Sequence, residues 1–276
     1  MRKHRQRRGF TIVELLVVVA IVTILVAVLL PAIATARHKA KGVQCQANLR
    51  TLHQAFTAYC QDNNGRSFAY VTTAQGFWAK LLLPFGCTPA SLLCPEAYEL
   101  NGTGIGTATV AWGGPGNPYA NRIGINPGSY GFNGWLYEAA PPAQAQQLPN
   151  NPPKTAYWHL PPSADASQIP VFADSVWVEG WPQGSDLPVT SGPPPGSLVG
   201  PGASIAGAPS GSIQYMQEFC LDRHPHRRVN VEFLDGHADS FAVEELWSAA
   251  GTTTILNWFP GYLDTANQPA SAPYVP

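Results

Sequence analysis

Near the C-terminus, His224, His226, Asp235, His237 and Asp239 gather imidazoles and carboxylates, ligands suited to zinc and other divalent ions. Asp235-Gly236 is also a hairpin signal, and such a turn would by itself bring His237 back toward Asp235. Arg227 and Arg228 beside the cluster oppose a cation. A structural hairpin is therefore the preferred reading, and no metal is expected. Asp62, Asn63 and Asn64 offer oxygens that suit calcium, but they lack the acidic density of a dedicated loop and suit the end of a helix better. Of the five cysteines, Cys45 and Cys60 lie about 22 Å apart on one predicted helix, beyond disulfide reach. Cys87 and Cys94 flank a short turn and are the pair expected to bond, which leaves at least one thiol of the odd count unpaired or intermolecular. No Ser-His-Asp order, phosphate loop or paired catalytic carboxylates can be argued, so neither a cofactor nor an enzymatic activity is expected.

The other chemically informative residue is Glu14. It lies inside the run Phe10 to Ile33, which is long and apolar enough to cross a bilayer as a helix. A carboxylate there costs roughly 2.5 to 3.5 kcal/mol on insertion scales and needs a partner, yet the run contains no basic residue. A cut between Gly9 and Phe10 would supply one. It exposes an ammonium on Phe10, one helical turn from Glu14, either of the same chain or of a neighbouring copy. A twin-arginine export signal at RRGF, or ordinary signal cleavage at Ala34-Thr35-Ala36, would leave Glu14 unexplained.

Gly9, then Phe10-Thr11-Ile12-Val13-Glu14, a long apolar stretch, and a leader holding Arg2, Lys3, Arg5, Arg7 and Arg8 resemble the N-terminus of type IV prepilins and type II secretion pseudopilins. The resemblance implies cleavage after Gly9 by a prepilin peptidase, N-methylation of Phe10, and a role for Glu14 in registering subunits within a filament. The stretch from Cys45 to Phe68 is similar to pilin-like proteins common in planctomycete-type bacteria. So are Leu93-Cys94-Pro95, Ser129 to Trp135, Val171 to Ser175 and Arg223 to Asp239. In that family the last block reads His, nine residues, Asp-Gly. Ten residues separate His224 from Asp235 and eight separate His226 from it, which suggests an extra residue near Pro225.

Charge divides the chain. Nine of the 16 Lys and Arg precede residue 51, whereas from Asn63 onward seven basic groups face fifteen acidic ones, a net of -8. Nucleic-acid binding by the large domain is thereby disfavoured, and the basic leader orients that domain outward. With 26 Gly and 27 Pro among 276 residues and only 12% charged residues, the domain reads as exported and loop-rich.

These residues must be positioned by few elements. The stripe Cys45, Leu49, Leu52, Phe56, Tyr59 continues the helix beyond Pro31, which should kink or loosen it, and Asn63-Asn64-Gly65 ends it. From Phe10 to Asp62 that helix would be about 80 Å long. Strands are expected at Ser129 to Tyr137, Val171 to Val178, Val229 to Leu234 and His237 to Val243, followed by a short helix at Glu244 to Trp247. The expected architecture is α+β: a helical spine on a small antiparallel sheet, with Pro/Gly-rich loops at 139–170 and 182–212. Its divisions are a leader at 1–9, a transmembrane segment at 10–33, the outer half of the spine at 34–62 and a globular domain at 63–276.

The resemblance further implies a non-enzymatic pseudopilus or pilus subunit in the inner (cytoplasmic) membrane, single-pass, with its domain periplasmic. Other pilin subunits and the peptidase would be its partners. The competing expectation is an anchored ligand- or polysaccharide-binding domain that does not polymerise, with Trp112, Trp135, Trp158, Trp177 and Trp181 as stacking surfaces.

Overall fold

A computed structural model describes residues 11–70, 77–97, 99–100, 106–114, 127–138, 160, 165–182, 218–219, 223–246, 256 and 258. The chain divides into two compact units, Met1–Ala40 and Lys41–Pro276. Helix α1, Ile12–Asp62, contributes to both.

In the first unit the large apolar side chains from Ile12 to Ile33 are exposed. It is the one helix among the described residues long and apolar enough to cross a membrane. The helix runs unbroken through Pro31, whose missing N–H costs one backbone bond. The Thr35 hydroxyl donates to the Pro31 carbonyl at 3.0 Å.

In the second unit α1 buries Cys45, Leu49, Leu52, Ala55, Phe56 and Cys60, the stripe the spacing predicts, with Tyr59 half-buried at its margin. The helix stops where Asn64 and Gly65 adopt left-handed backbone (φ 59° and 77°) and the Gly65 N–H donates back to the Cys60 carbonyl. Asn63 Nδ2 also donates to the Tyr59 carbonyl at 2.8 Å. Asp62–Asn64 thus acts as a helix end.

Against this stripe lies a five-stranded sheet of order β5-β3-β4-β6-β7. Its strands are β3 Tyr130–Asn133, β4 Pro170–Asp174, β5 Glu179–Gly180, β6 Arg228–Phe233 and β7 Ala238–Ala242. Phe56 meets Phe132 and Phe172 across the interface, with ring centroids 5.6 Å and 6.1 Å apart. The expected antiparallel pairing holds for β3–β4, β4–β6 and β6–β7, but β5 runs parallel to β3, so the sheet is mixed. The cause is the short link Ser175–Val178. It carries the chain over β3 instead of turning back beside β4, at a place where a Cβ on Gly131 would lie 2.7 Å from the Ser175 side chain. Two further two-residue strands, β1 Glu99–Leu100 and β2 Val110–Ala111, pair in parallel, and a short helix α2 spans Trp78–Leu82. These pieces have no readable period. The helix expected at Glu244 to Trp247 is a 3-10 turn, Val243–Leu246.

One buried contact ties α1 to β6. His53 Nδ1 lies 2.6 Å from Glu232 Oε1, and Gly236 of the β6–β7 turn packs on the His53 ring. Burial, with a smaller contribution from Asp235, pushes the Glu232 carboxyl well above its ordinary value, while burial pushes His53 below its own. Both directions fit a neutral pair in which the Glu232 carboxyl donates to His53 Nδ1. The folded chain then keeps a proton on Glu232 that the unfolded chain releases above pH 4.5. Stability falls as pH rises through that window, by at most about 1.4 kcal/mol per pH unit. His53 acts in the opposite sense, because below 6.5 the unfolded chain gains a proton that the folded chain excludes. Only the Glu232 effect persists above that value. Glu232→Gln should therefore match the parent near about pH 5 and exceed it by on the order of 1 to 2 kcal/mol near about pH 8. Denaturant unfolding of the detergent-solubilised protein at both pH values measures this, and a pH-independent difference would exclude Glu232 as the titrating group.

Candidate functional site

Two arrangements carry chemistry. The first is the start of α1. Gly9 and Phe10, the expected processing residues, lie outside the described residues. Thr11 caps the helix: its N–H and its hydroxyl both donate to Glu14 Oε2, at 2.9 Å and 2.8 Å, and the Glu14 N–H donates to Thr11 Oγ1 at 3.3 Å. This reciprocal pair is a capping box, readable in the sequence as Thr-x-x-Glu before an apolar run. It gives Glu14 a partner within its own chain. Both donations reach Oε2, and among the described residues Oε1 accepts none.

The second arrangement is a buried polar cluster at the end of β4. Asp174 is fully buried. Its Oδ2 accepts from the Asn230 N–H of β6 at 2.8 Å and lies 3.0 Å from His224 Nε2, while its Oδ1 lies 3.5 Å from the Arg223 guanidinium. Burial works to raise this carboxyl, but His224, Arg223 and the Asn230 N–H together hold it below the usual aspartate value. Arg223 donates to the carbonyls of Ala108 (3.1 Å), Thr107 (3.0 Å), Ser175 (2.8 Å) and Ser129. His224 Nε2 also lies 2.7 Å from Asn230 Nδ2 and 3.7 Å from Cys94 Sγ.

Cys94 bonds to Cys45 of α1, with Cα atoms 5.1 Å apart. The expected Cys87–Cys94 disulfide is thus corrected, and Cys87 is a free, buried thiol. The intervening residues form a capped 3-10 turn, Pro89–Leu92, in which Thr88 and Ser91 cap each other. That turn sets Cys87 Sγ 3.5 Å from Ser91 Oγ, while the chain continues toward α1, where Asn48 Nδ2 donates to the Leu93 carbonyl at 2.8 Å. Burial raises the Cys60 thiol to about 12 and moves Cys87 upward as well. Cys220 lies outside the described residues. One ligand atom from each of Cys45, Cys94, Asp174 and His224 lies within 4.8 Å of the other three.

The C-terminal histidines and carboxylates therefore do not form one site. His224 points inward. His226 is exposed in the loop Pro225–Arg227, where His226 and Arg227 adopt left-handed backbone (φ 64° and 54°). Asp235 and His237 meet on the exposed β6–β7 turn. There His237 Nδ1 is 2.5 Å from Asp235 Oδ1, and the ring stacks on Phe233 with centroids 4.3 Å apart. Cys45, Cys94, Asp174 and Arg223, which complete the buried cluster, were not grouped by sequence reasoning. The only signal was that each lies in, or beside, one of the short blocks similar to the pilin-like family. Trp112, Trp135, Trp177 and Trp181 are buried, which removes them as stacking surfaces for polysaccharide, and Trp158 lies outside the described residues.

Residues 4–30 match the family model for the prokaryotic N-terminal methylation motif. The chain is 34% identical over 84 residues to the type II secretion system core protein G of Pseudomonas aeruginosa, covering 30% of this chain and 56% of that protein. It is 30% identical over 131 residues to the core protein G of Aeromonas hydrophila and 28% over 132 residues to that of Escherichia coli K12. Each of these alignments covers 48% of this chain and 80% of the relative. The chain belongs to the core protein G family of type II secretion pseudopilins. No solved structure matches it. As in a pseudopilin, an apolar N-terminal helix with a methylation motif precedes an α+β domain, which makes this a membrane-anchored, envelope-associated protein. About half of this pseudopilin extends beyond the aligned stretches.

The disulfide gives a test. Peptide mapping of non-reduced protein should recover Cys45 linked to Cys94, with Cys87 alkylatable after denaturation. The separation of 49 residues predicts a loss of about 4 kcal/mol for Cys45→Ser in the chain-entropy model. Cys87→Ser should change stability by no more than about 1 kcal/mol, and a Cys87–Cys94 peptide would refute the assignment.

Proposed function

We propose that this pseudopilin is cut between Gly9 and Phe10 by a prepilin peptidase, that Phe10 is N-methylated, and that the mature chain is a non-enzymatic subunit of a type II secretion-like pseudopilus. The apolar half of α1 anchors it in the inner membrane in a single pass, with the large domain on the periplasmic side. Other pilin or pseudopilin subunits are its partners. The observation that supports this best is the N-terminal arrangement itself: a methylation motif over residues 4–30 leads into a helix whose apolar side chains are exposed from Ile12 to Ile33, with a carboxylate in its first turn. Exposed apolar surface of that length is favourable against lipid or against like helices, and unfavourable in water.

Glu14 has two duties in this reading. In the lone chain it caps α1 through Thr11, which lowers the cost of carrying a carboxylate. In the assembled state Oε1 receives the Phe10 ammonium of an adjacent subunit, so assembly selects subunits that have been cut.

Intact-mass and N-terminal analysis of membrane protein should find a chain starting at methylated Phe10, and a chain starting at Arg37 would refute the processing. Glu14→Gln keeps an acceptor for Thr11 without the charge. It should insert like the parent while losing cross-linked oligomers. Thr11→Val removes the cap but keeps the carboxylate, and should still assemble, at a helix-capping cost of about 0.5 to 2 kcal/mol. If Glu14→Leu yields parental amounts of both inserted protein and oligomer, the carboxylate has no part in assembly.

A further inference from the structure

We infer that, when Cys45 and Cys94 are reduced, they form with Asp174 and His224 a tetrahedral zinc site, so that one buried locus holds either a disulfide or a metal ion. The four residues come from four separate stretches: α1, the segment after the Pro89–Leu92 turn, the end of β4, and the start of the loop before β6. All four are buried, and their ligand atoms already converge within 4.8 Å. Zinc takes thiolate, imidazole and carboxylate together at bond lengths of about 2.0 to 2.3 Å, so modest contraction about an ion closes the shell once the sulfurs part. Two sulfur ligands disfavour calcium and magnesium, which select oxygen.

The surroundings fit a cation of that charge. Two thiolates and one carboxylate exceed a dication by one negative charge, and the buried Arg223 guanidinium beside Asp174 Oδ1 supplies the balance. In the disulfide state the Asp174 carboxylate keeps Arg223 as its buried counter-charge. Asp174 Oδ2 is oriented by the Asn230 N–H, the kind of outer support that metal-ligating carboxylates use. His224 Nε2 faces both Cys94 Sγ and Asp174 Oδ2, and on binding it exchanges its Asn230 side-chain contact for the ion. The other ring nitrogen, Nδ1, is buried without a hydrogen-bond partner among the described residues.

The two states interconvert by a balanced exchange. An external disulfide accepts two electrons from the two thiolates and two protons from solvent, giving two external thiols, the Cys45–Cys94 bond and free zinc. A dithiol reverses this, with release of two protons as zinc binds. A domain that reaches the periplasm with its thiols still reduced can thus join α1 to the sheet through zinc, and through the disulfide once it is oxidised.

The test uses the full chain in detergent, reduced with a phosphine, stripped with a chelator, and titrated anaerobically with cobalt and then zinc. One cobalt ion per chain should bind, with visible d–d bands and a near-ultraviolet thiolate-to-cobalt band, and zinc should abolish both. Zinc should slow alkylation of Cys45 and Cys94 but not of Cys60 or Cys87, as read by mass spectrometry. The oxidised chain should bind no metal, and Cys87→Ser should behave like the parent. Cys45→Ser should lose binding, and His224→Ala should weaken it beyond the roughly 10 to 100-fold typical of losing a supporting residue. Zinc protection of thiols other than Cys45 and Cys94 in a chain that stays folded when reduced, parental cobalt spectra in Cys45→Ser, or binding to the oxidised chain would overturn the site. So would a reduced chain that unfolds and is not restored by zinc, since a native zinc site holds its fold.

Discussion

The large domain is organised around one buried ion pair, Arg223 with Asp174. A charge taken out of water is tolerated only if its partner and its remaining donors or acceptors are satisfied. Arg223 meets that requirement with the Asp174 carboxylate and four carbonyls, those of Thr107, Ala108, Ser129 and Ser175. Those acceptors belong to stretches lacking long regular structure, so the guanidinium does for irregular backbone what a ladder does for a strand. Loss of one partner would leave the other charge buried and unpaired, a penalty of roughly 3 to 5 kcal/mol.

Five stretches distant in sequence converge around this pair. Cys45 and Asn48 come from α1, Cys94 from the segment behind the 3-10 turn, Ser129 and Tyr130 from the entry to β3, Asp174 and Ser175 from the exit of β4, and Arg223 and His224 from the approach to β6. The Cys94 N–H donates to the Ser129 hydroxyl, which in turn donates to the Leu92 carbonyl at 3.3 Å.

Helix α1 serves two solvents. Over residues 12–33 its apolar side chains point outward on all sides, and from Cys45 they narrow to a single stripe that packs on aromatic rings of the sheet. The change from all-round to one-sided hydrophobicity is what an anchor followed by a packed helix requires. Glu14 fits the first regime only because it lies in the first turn, where backbone donors and the helix dipole favour a carboxylate.

The spine, its end at Asn64-Gly65, its inward stripe and the β6–β7 hairpin were legible in the residues, because each depends on spacing or turn chemistry local to the chain. Strand β3 and strand β4 were legible only as apolar stretches. Both are buried throughout, so neither shows alternation, and the parallel placement of β5 depends on a crossing that Gly131 permits. Cysteine pairing could not be read locally either. Cys87 and Cys94 are neighbours in sequence, yet a capped turn separates their side chains and directs Cys94 to a residue 49 positions earlier. By itself the sequence determined the anchor, the processing motif and the helical stripe, whose physics is settled within a turn or two of chain. Which histidine faces inward, which cysteine bonds and which carboxylate takes the buried arginine were decided only by tertiary structure. Those choices rest on contacts between stretches that no local period relates.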